Sequence, residues 1–142
     1  MEKMDSIYTD VIMEASTSKH NKHNLTNPDF TEHGHNPSCG DDLTLQVNVV
    51  DGIVKDAAYT GSGCAISQAS ASMMIDVITG KSLEEAFQLV DLFLGMIKKE
   101  VTDEDELEAL EDAIALQNIS NMPARVKCAV LVWHTLREAL KK

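Results

Sequence analysis

From Leu43 to Val49 the chain alternates Leu43, Leu45, Val47 and Val49 with Thr44, Gln46 and Asn48. That period of two belongs to a β-strand with one face buried. Asp51-Gly52 follows, a two-residue hairpin signal, and Ile53–Thr60 returns as the partner strand. The period then changes. Gly61-Ser62-Gly63 breaks the strand, and Ile66, Ala69, Met73 and Val77 recur at helical spacing until Gly80. Ser82 with Glu85 predicts a capping box, opening a helix with an apolar stripe of Leu83, Phe87, Val90 and Leu94. Thr102–Leu116 reads as a third helix with acids crowding its first turn. Pro123 is placed to open a last helix, with Val126, Val130, Trp133 and Leu140 facing inward. Upstream, Ser6–Ala15 predicts a short helix with Ile7, Val11 and Ala15 on one face, and Ser16–Asn36 an irregular arm. No internal repeat or low-complexity segment is visible. The expectation is an α+β fold: one domain over residues 1–142, with a small antiparallel sheet of about three strands packed against three to five helices.

At 142 residues, 44% of them hydrophobic, such a domain can bury a proper core. Aromatics make up only 4%, so the core must be mostly aliphatic, with Met73 and Met74 as filler. A net charge of -11 disfavours a nucleic-acid surface, which must neutralise phosphates. Eleven of the 23 acidic residues fall between Glu84 and Asp112, so the charge is local, and Glu100–Asp112 reads as a solvated helix face. Met1–Asp10 shows no signal-peptide pattern. The apolar run at Ala129–Trp133 is too short to span a bilayer. Three cysteines, an odd number with no close pair, favour a reducing cytosol over a disulfide scaffold. His20, His23, His33 and His35 cluster in the arm, where no helix fixes their spacing, and read as solvated loop histidines.

The chemistry-bearing candidates are Cys39, Asp41, Cys64 and Cys128. Cys64 follows Gly61-Ser62-Gly63 at a helix start, where the dipole stabilises a thiolate. Cys128 lies in the second turn of the Pro123 helix, with Arg125 and Lys127 in sequence beside it to offset negative charge. Cys39 sits on a loop, and Gly40 gives the backbone freedom to bring Cys39 and Asp41 to one point. Three thiolates and a carboxylate would make a closed tetrahedral set of the kind that suits zinc. A closed set argues against hydrolysis; if the site reacts a ligand must leave, and loop-borne Cys39 is the candidate. Spacing alone is a weak signal: no CxxC pair exists, and scattered cysteines are more often buried as small apolar residues.

Three blocks carry a resemblance. They are Asn36-Pro37-Ser38-Cys39-Gly40-Asp41, then Gly61-Ser62-Gly63-Cys64-Ala65-Ile66-Ser67 with Ala69-Ser70-Ala71-Ser72-Met73-Met74, and Pro123-Ala124-Arg125-Val126-Lys127-Cys128-Ala129 with Trp133. In this order, over Asn36 to Leu140, they resemble the signature blocks of the IscU-like (NifU N-terminal) family, and most of all its SufU branch. The IscU branch places a histidine where this chain has Lys127. SufU proteins carry a helical insertion between the second and third blocks, which residues 83–122 are long enough to contain.

The resemblance implies a zinc site on Cys39, Asp41, Cys64 and Cys128. It also implies that Cys39 accepts persulfide sulfur from a SufS-type cysteine desulfurase and passes it towards the SufBCD machinery, with Arg125 at the partner interface. Two other readings stand beside this zinc-dependent sulfurtransferase. One is a scaffold assembling a [2Fe–2S] cluster, hence binding iron, on the same ligands. The other is a non-catalytic zinc module that binds a partner. Lys127 favours sulfur transfer. A cytoplasmic protein with neither nucleic-acid nor membrane partners is expected throughout.

Overall fold

The computed structural model describes residues 2–36 and 40–141, and side chains over 10–36 and 40–141. In chain order the elements are helix α1 (Glu2–Thr17), strands β1 (Phe30–Asn36), β2 (Asp41–Val50) and β3 (Ile53–Ser62), then helices α2 (Ala65–Ile78), α3 (Leu83–Ile97) and α4 (Glu104–Leu107). A 3-10 segment (Glu108–Asn121) and helix α5 (Pro123–Lys141) complete the chain. The strands form one antiparallel sheet in the order β1-β2-β3.

The hairpin forms where the alternation ends. Asp51 and Gly52 both take positive φ, 53° and 76°, the pair of left-handed residues whose twist matches that of the flanking strands. Leu45 lies opposite Tyr59 and Val47 opposite Ala57, and with Leu43 they line one buried face. Helix α5 covers that face over β1 and β2, and α2 covers it over β3. Phe93 of α3 stacks on Trp133 of α5 with ring centroids 4.2 Å apart. The Trp133 indole N–H donates to Ser70 Oγ at 2.9 Å, and that hydroxyl donates to the Ala129 carbonyl, so the buried polar groups tying α2 to α5 are satisfied. The helix caps follow the sequence: Ser82 and Glu85 form the reciprocal capping box, and Pro123 opens α5.

Three expectations need correction. The arm is not irregular to its end, because Phe30–Asn36 pairs with β2 as a third strand. Its inward positions are Phe30, Glu32, Gly34 and Asn36, opposite Val47, Leu45, Leu43 and Asp41, and only Phe30 among them is apolar, so no apolar alternation marks it. Gly34 is what lets α5 close on this strand: a Cβ there would stand 2.3 Å from Thr135 Oγ1. Around Asn21 and Lys22 the arm runs along the outer edge of β3, where the Tyr59 N–H donates to the Asn21 carbonyl at 2.9 Å, before Leu25 and Asp29 bond to β2. The Asn21 contact covers part of an otherwise open sheet edge.

The second correction concerns the third helix. Only Glu104–Leu107 is α-helical, and Glu108–Asn121 is 3-10, kinked at Glu111 (φ 51°, ψ −129°). The buried residues Leu107, Leu110, Ala113, Leu116 and Ile119 recur at intervals of three. That repeat keeps one face buried only at three residues per turn, the 3-10 winding. The acids from Glu100 to Asp112 are solvent-exposed, as the sequence indicates. The α1 helix is longer than expected; Val11 and Ala15 pack against the core, while Ile7 lies outside the described side chains.

Candidate metal centre

The inner face of the sheet ends in a carboxylate. Asp41 opens β2 with the same orientation as Leu43 and Leu45, and it is fully buried. One strand away the chain leaves β3, turns through Gly63, and starts α2 with Cys64 as the N-cap residue. Cys128, fully buried, faces them from the second turn of α5. One ligand atom each from Asp41, Cys64 and Cys128 lie within 4.8 Å of one another, the one such cluster of three metal-binding side chains among the described residues.

The first turn of α2 carries no acidic residue of its own, and Asp41 brings the negative charge from the sheet. The Cys64 backbone N–H donates to Asp41 Oδ1 at 3.0 Å, answering one of the unpaired donors at the helix start. The Ser67 hydroxyl donates to Asp41 Oδ2 and lies 3.4 Å from Cys64 Sγ. This approach requires Gly63, where a Cβ would come within 2.8 Å of Asp41 Oδ1. The loop is held in turn by Gln68, whose amide donates to the Gly63 carbonyl at 2.9 Å and whose oxygen accepts from Lys22 Nζ at 2.6 Å. The arm is thereby tied to the site.

Burial of the Cys64 thiol raises its pKa, but hydrogen bonding outweighs that and the net shift is downward. The Ser67 backbone N–H and the Cys128 thiol lower it, and the Asp41 charge opposes them; the Ser67 hydroxyl, whose proton goes to Asp41 Oδ2, faces Cys64 Sγ with its oxygen. The result is a half-exposed thiol biased toward thiolate beside a buried one. Two sulfurs and a carboxylate oxygen form a donor set suited to a thiophilic metal. Ligand atoms around a tetrahedral zinc stand about 3.5–3.8 Å apart, so the three residues already fit such an ion with small adjustment.

Of the four expected ligands, three converge. The fourth, Cys39, lies outside the described residues, two positions before Asp41. Arg125 and Lys127 lie on the exposed first turns of α5. His20 and His23 are exposed, but His33 and His35 sit on β1 rather than in a loop, and His33 pairs with Asp42 at 2.5 Å. Sequence reasoning missed Ser67 and Lys22. Ser67 stands three residues after the N-cap, the spacing of a capping partner, which was a usable signal. Lys22 left none.

The chain is an α+β domain whose helices and sheet meet at a buried aspartate, a half-exposed cysteine and a buried one, side chains that could hold a metal ion. Residues 7–142 match the family model described as NifU-like N terminal domain. The chain is 44% identical over 136 residues to the iron-sulfur cluster assembly scaffold protein IscU of Thermotoga maritima, covering 96% of this chain and 94% of that protein. It is 39% identical over 140 residues to the zinc-dependent sulfurtransferase SufU of Bacillus subtilis, covering 98% and 92%. Among solved structures, a putative iron-sulfur cluster assembly scaffold protein for the SUF system from Fervidobacterium islandicum superposes with a TM-score of 0.87 at 37% identity, covering 95% of this chain and 97% of that one. This chain belongs to the NifU-like N-terminal domain family, the IscU/SufU proteins of iron–sulfur cluster assembly. Among the described residues no helix is long and apolar enough to cross a membrane.

Proposed function

We propose that this protein is a zinc-dependent sulfur acceptor of iron–sulfur cluster assembly, loaded by a SufS-type cysteine desulfurase and discharging towards SufBCD in the cytoplasm. The observation that carries the reading is the convergence of Asp41, Cys64 and Cys128 at the start of α2, with Cys39 two residues before Asp41. Cys39, Asp41, Cys64 and Cys128 would hold the ion. Zinc has no redox chemistry and keeps its thiolate ligands deprotonated. Cys64 and Cys128, on helices, serve as anchors, and Cys39 is the acceptor. Its thiolate attacks the terminal sulfur of the desulfurase persulfide. The S–S bond breaks, the desulfurase cysteine leaves as thiolate, and Cys39 carries the new S–S bond with the persulfide proton. Arg125, exposed on α5, is assigned to the desulfurase interface, and residues 83–122 to the SufU-type insertion within a single domain of residues 1–142.

The relative from Bacillus subtilis, named a zinc-dependent sulfurtransferase, supports this reading, as does Lys127 standing where the IscU branch has histidine. The relative from Thermotoga maritima, named a scaffold, supports a second reading, a [2Fe–2S] cluster built on the same residues. Metal analysis of protein purified without added metal separates them: one zinc and no colour for the first, iron with labile sulfide for the second. Mass spectrometry after mixing with desulfurase and cysteine should then find added sulfur on Cys39. A Cys39→Ala variant that accepts sulfur as well as wild type removes the acceptor role and leaves a passive zinc module.

A further inference from the structure

The hydroxyl of Ser67 is fully buried and touches two of the three converging residues. A serine has one proton to give and two lone pairs to receive with. Here the proton goes to Asp41 Oδ2, while Oδ1 of the same carboxylate accepts the Cys64 N–H at 3.0 Å. Both oxygens are thus tied to α2, the helix that also carries Cys64. An aspartate side chain left to itself rotates about two bonds, and fixing it on binding costs conformational entropy. This one is fixed beforehand. Gly63 completes the arrangement by leaving no Cβ between the loop and Asp41 Oδ1.

We propose that Ser67 is a positioning residue of the metal centre. It fastens Oδ2 of Asp41 to α2 while the Cys64 N–H holds Oδ1, so that the carboxylate is already oriented beside Cys64 and Cys128 before an ion arrives. The proposal rests on the metal-centre reading above and adds to it a residue that touches no metal.

The test is zinc affinity, measured by competition with a chromophoric chelator, for wild type, Ser67→Ala, Asp41→Ala and the double variant. Alanine is smaller than serine and the best helix former, so α2 should persist, which circular dichroism of the metal-free proteins checks. Ser67→Ala should weaken zinc binding by about 10–100-fold, the usual effect of removing an outer-shell partner. In the Asp41→Ala background the same substitution should change affinity by less than about threefold, because the residue it acts through is gone. Equal losses in both backgrounds, or no loss in either, would overturn the positioning role. Asp41→Ala binding zinc as tightly as wild type would remove Asp41 as a ligand, and the metal-centre reading fails with the proposal. A loss for Asp41→Ala without one for Ser67→Ala leaves the centre standing and sinks only Ser67.

Discussion

The chemistry of the site turns on small residues as much as on its ligands. Gly63 is needed because a buried carboxylate, held by two hydrogen bonds, occupies the space of its Cβ. Gly63→Ala should therefore displace Asp41 and weaken zinc binding at least tenfold, while the cost to the metal-free fold stays at the 1–3 kcal/mol typical of overpacking; chelator competition and urea melts measure the two. Cys64 supplies a pH prediction. Its folded pKa is lowered below that of an unfolded cysteine, so the metal-free protein gains stability from Cys64 ionisation at pH above the unfolded value. It loses that contribution as pH falls through the folded value. By the same sign, the thiolate persists to lower pH than in a free cysteine. Iodoacetamide should alkylate Cys64 of the metal-free protein well before the fully buried Cys128, with a rate midpoint below that of a free thiol, read by peptide mass spectrometry.

At the scale of elements, the 3-10 segment shows how an exact apolar interval of three overrides ordinary helix signals. Leu107, Leu110, Ala113, Leu116 and Ile119 stay on one buried face. Glu111 takes up the mismatch in a positive-φ conformation that favours glycine. Glu111→Gly should raise stability by about 0.5–1 kcal/mol, although glycine in a regular helix costs that amount; an unfolding midpoint shifted the other way would show that the kink is not strained. The arm behaves as an element too. Asn21 bonds to Ser72 and Asp76 of α2, and Lys22 reaches the Gly63 loop through Gln68.

Across the whole molecule, sheet, α2 and α5 meet where the three converging residues lie, so a bound ion would staple elements that are distant in sequence. Stripping metal with a chelator should lower the melting temperature, and adding zinc back should restore it. The shift should grow with the logarithm of free zinc, as ligand linkage requires. Acid should have the same effect as chelation, since protons compete for the thiolates. A melting temperature indifferent to zinc would mean that the site does not bind it in the folded protein.

The alternation of β2, the Asp51-Gly52 turn, the Ser82–Glu85 cap and the starts of α2 and α5 were all readable in the sequence, because neighbours within four residues determine them. So were the candidate donor types, and the block resemblance grouped Asp41, Cys64 and Cys128, whose side chains the structure brings within 4.8 Å of one another. Strand β1 was not readable: of its inward residues Phe30, Glu32, Gly34 and Asn36 only the first is apolar, and pairing with β2 and the close approach of α5 make it a strand. Nor was the fastening of Asp41 by Ser67, or of the loop by Lys22. Those bonds join residues 26 and 46 positions apart. Local propensity carries no information over such separations, so the packing of the sheet against α2 had to bring those atoms together. The sequence alone determined which side chains could bind a metal; tertiary packing decided how the Asp41 carboxylate is held beside Cys64 and Cys128.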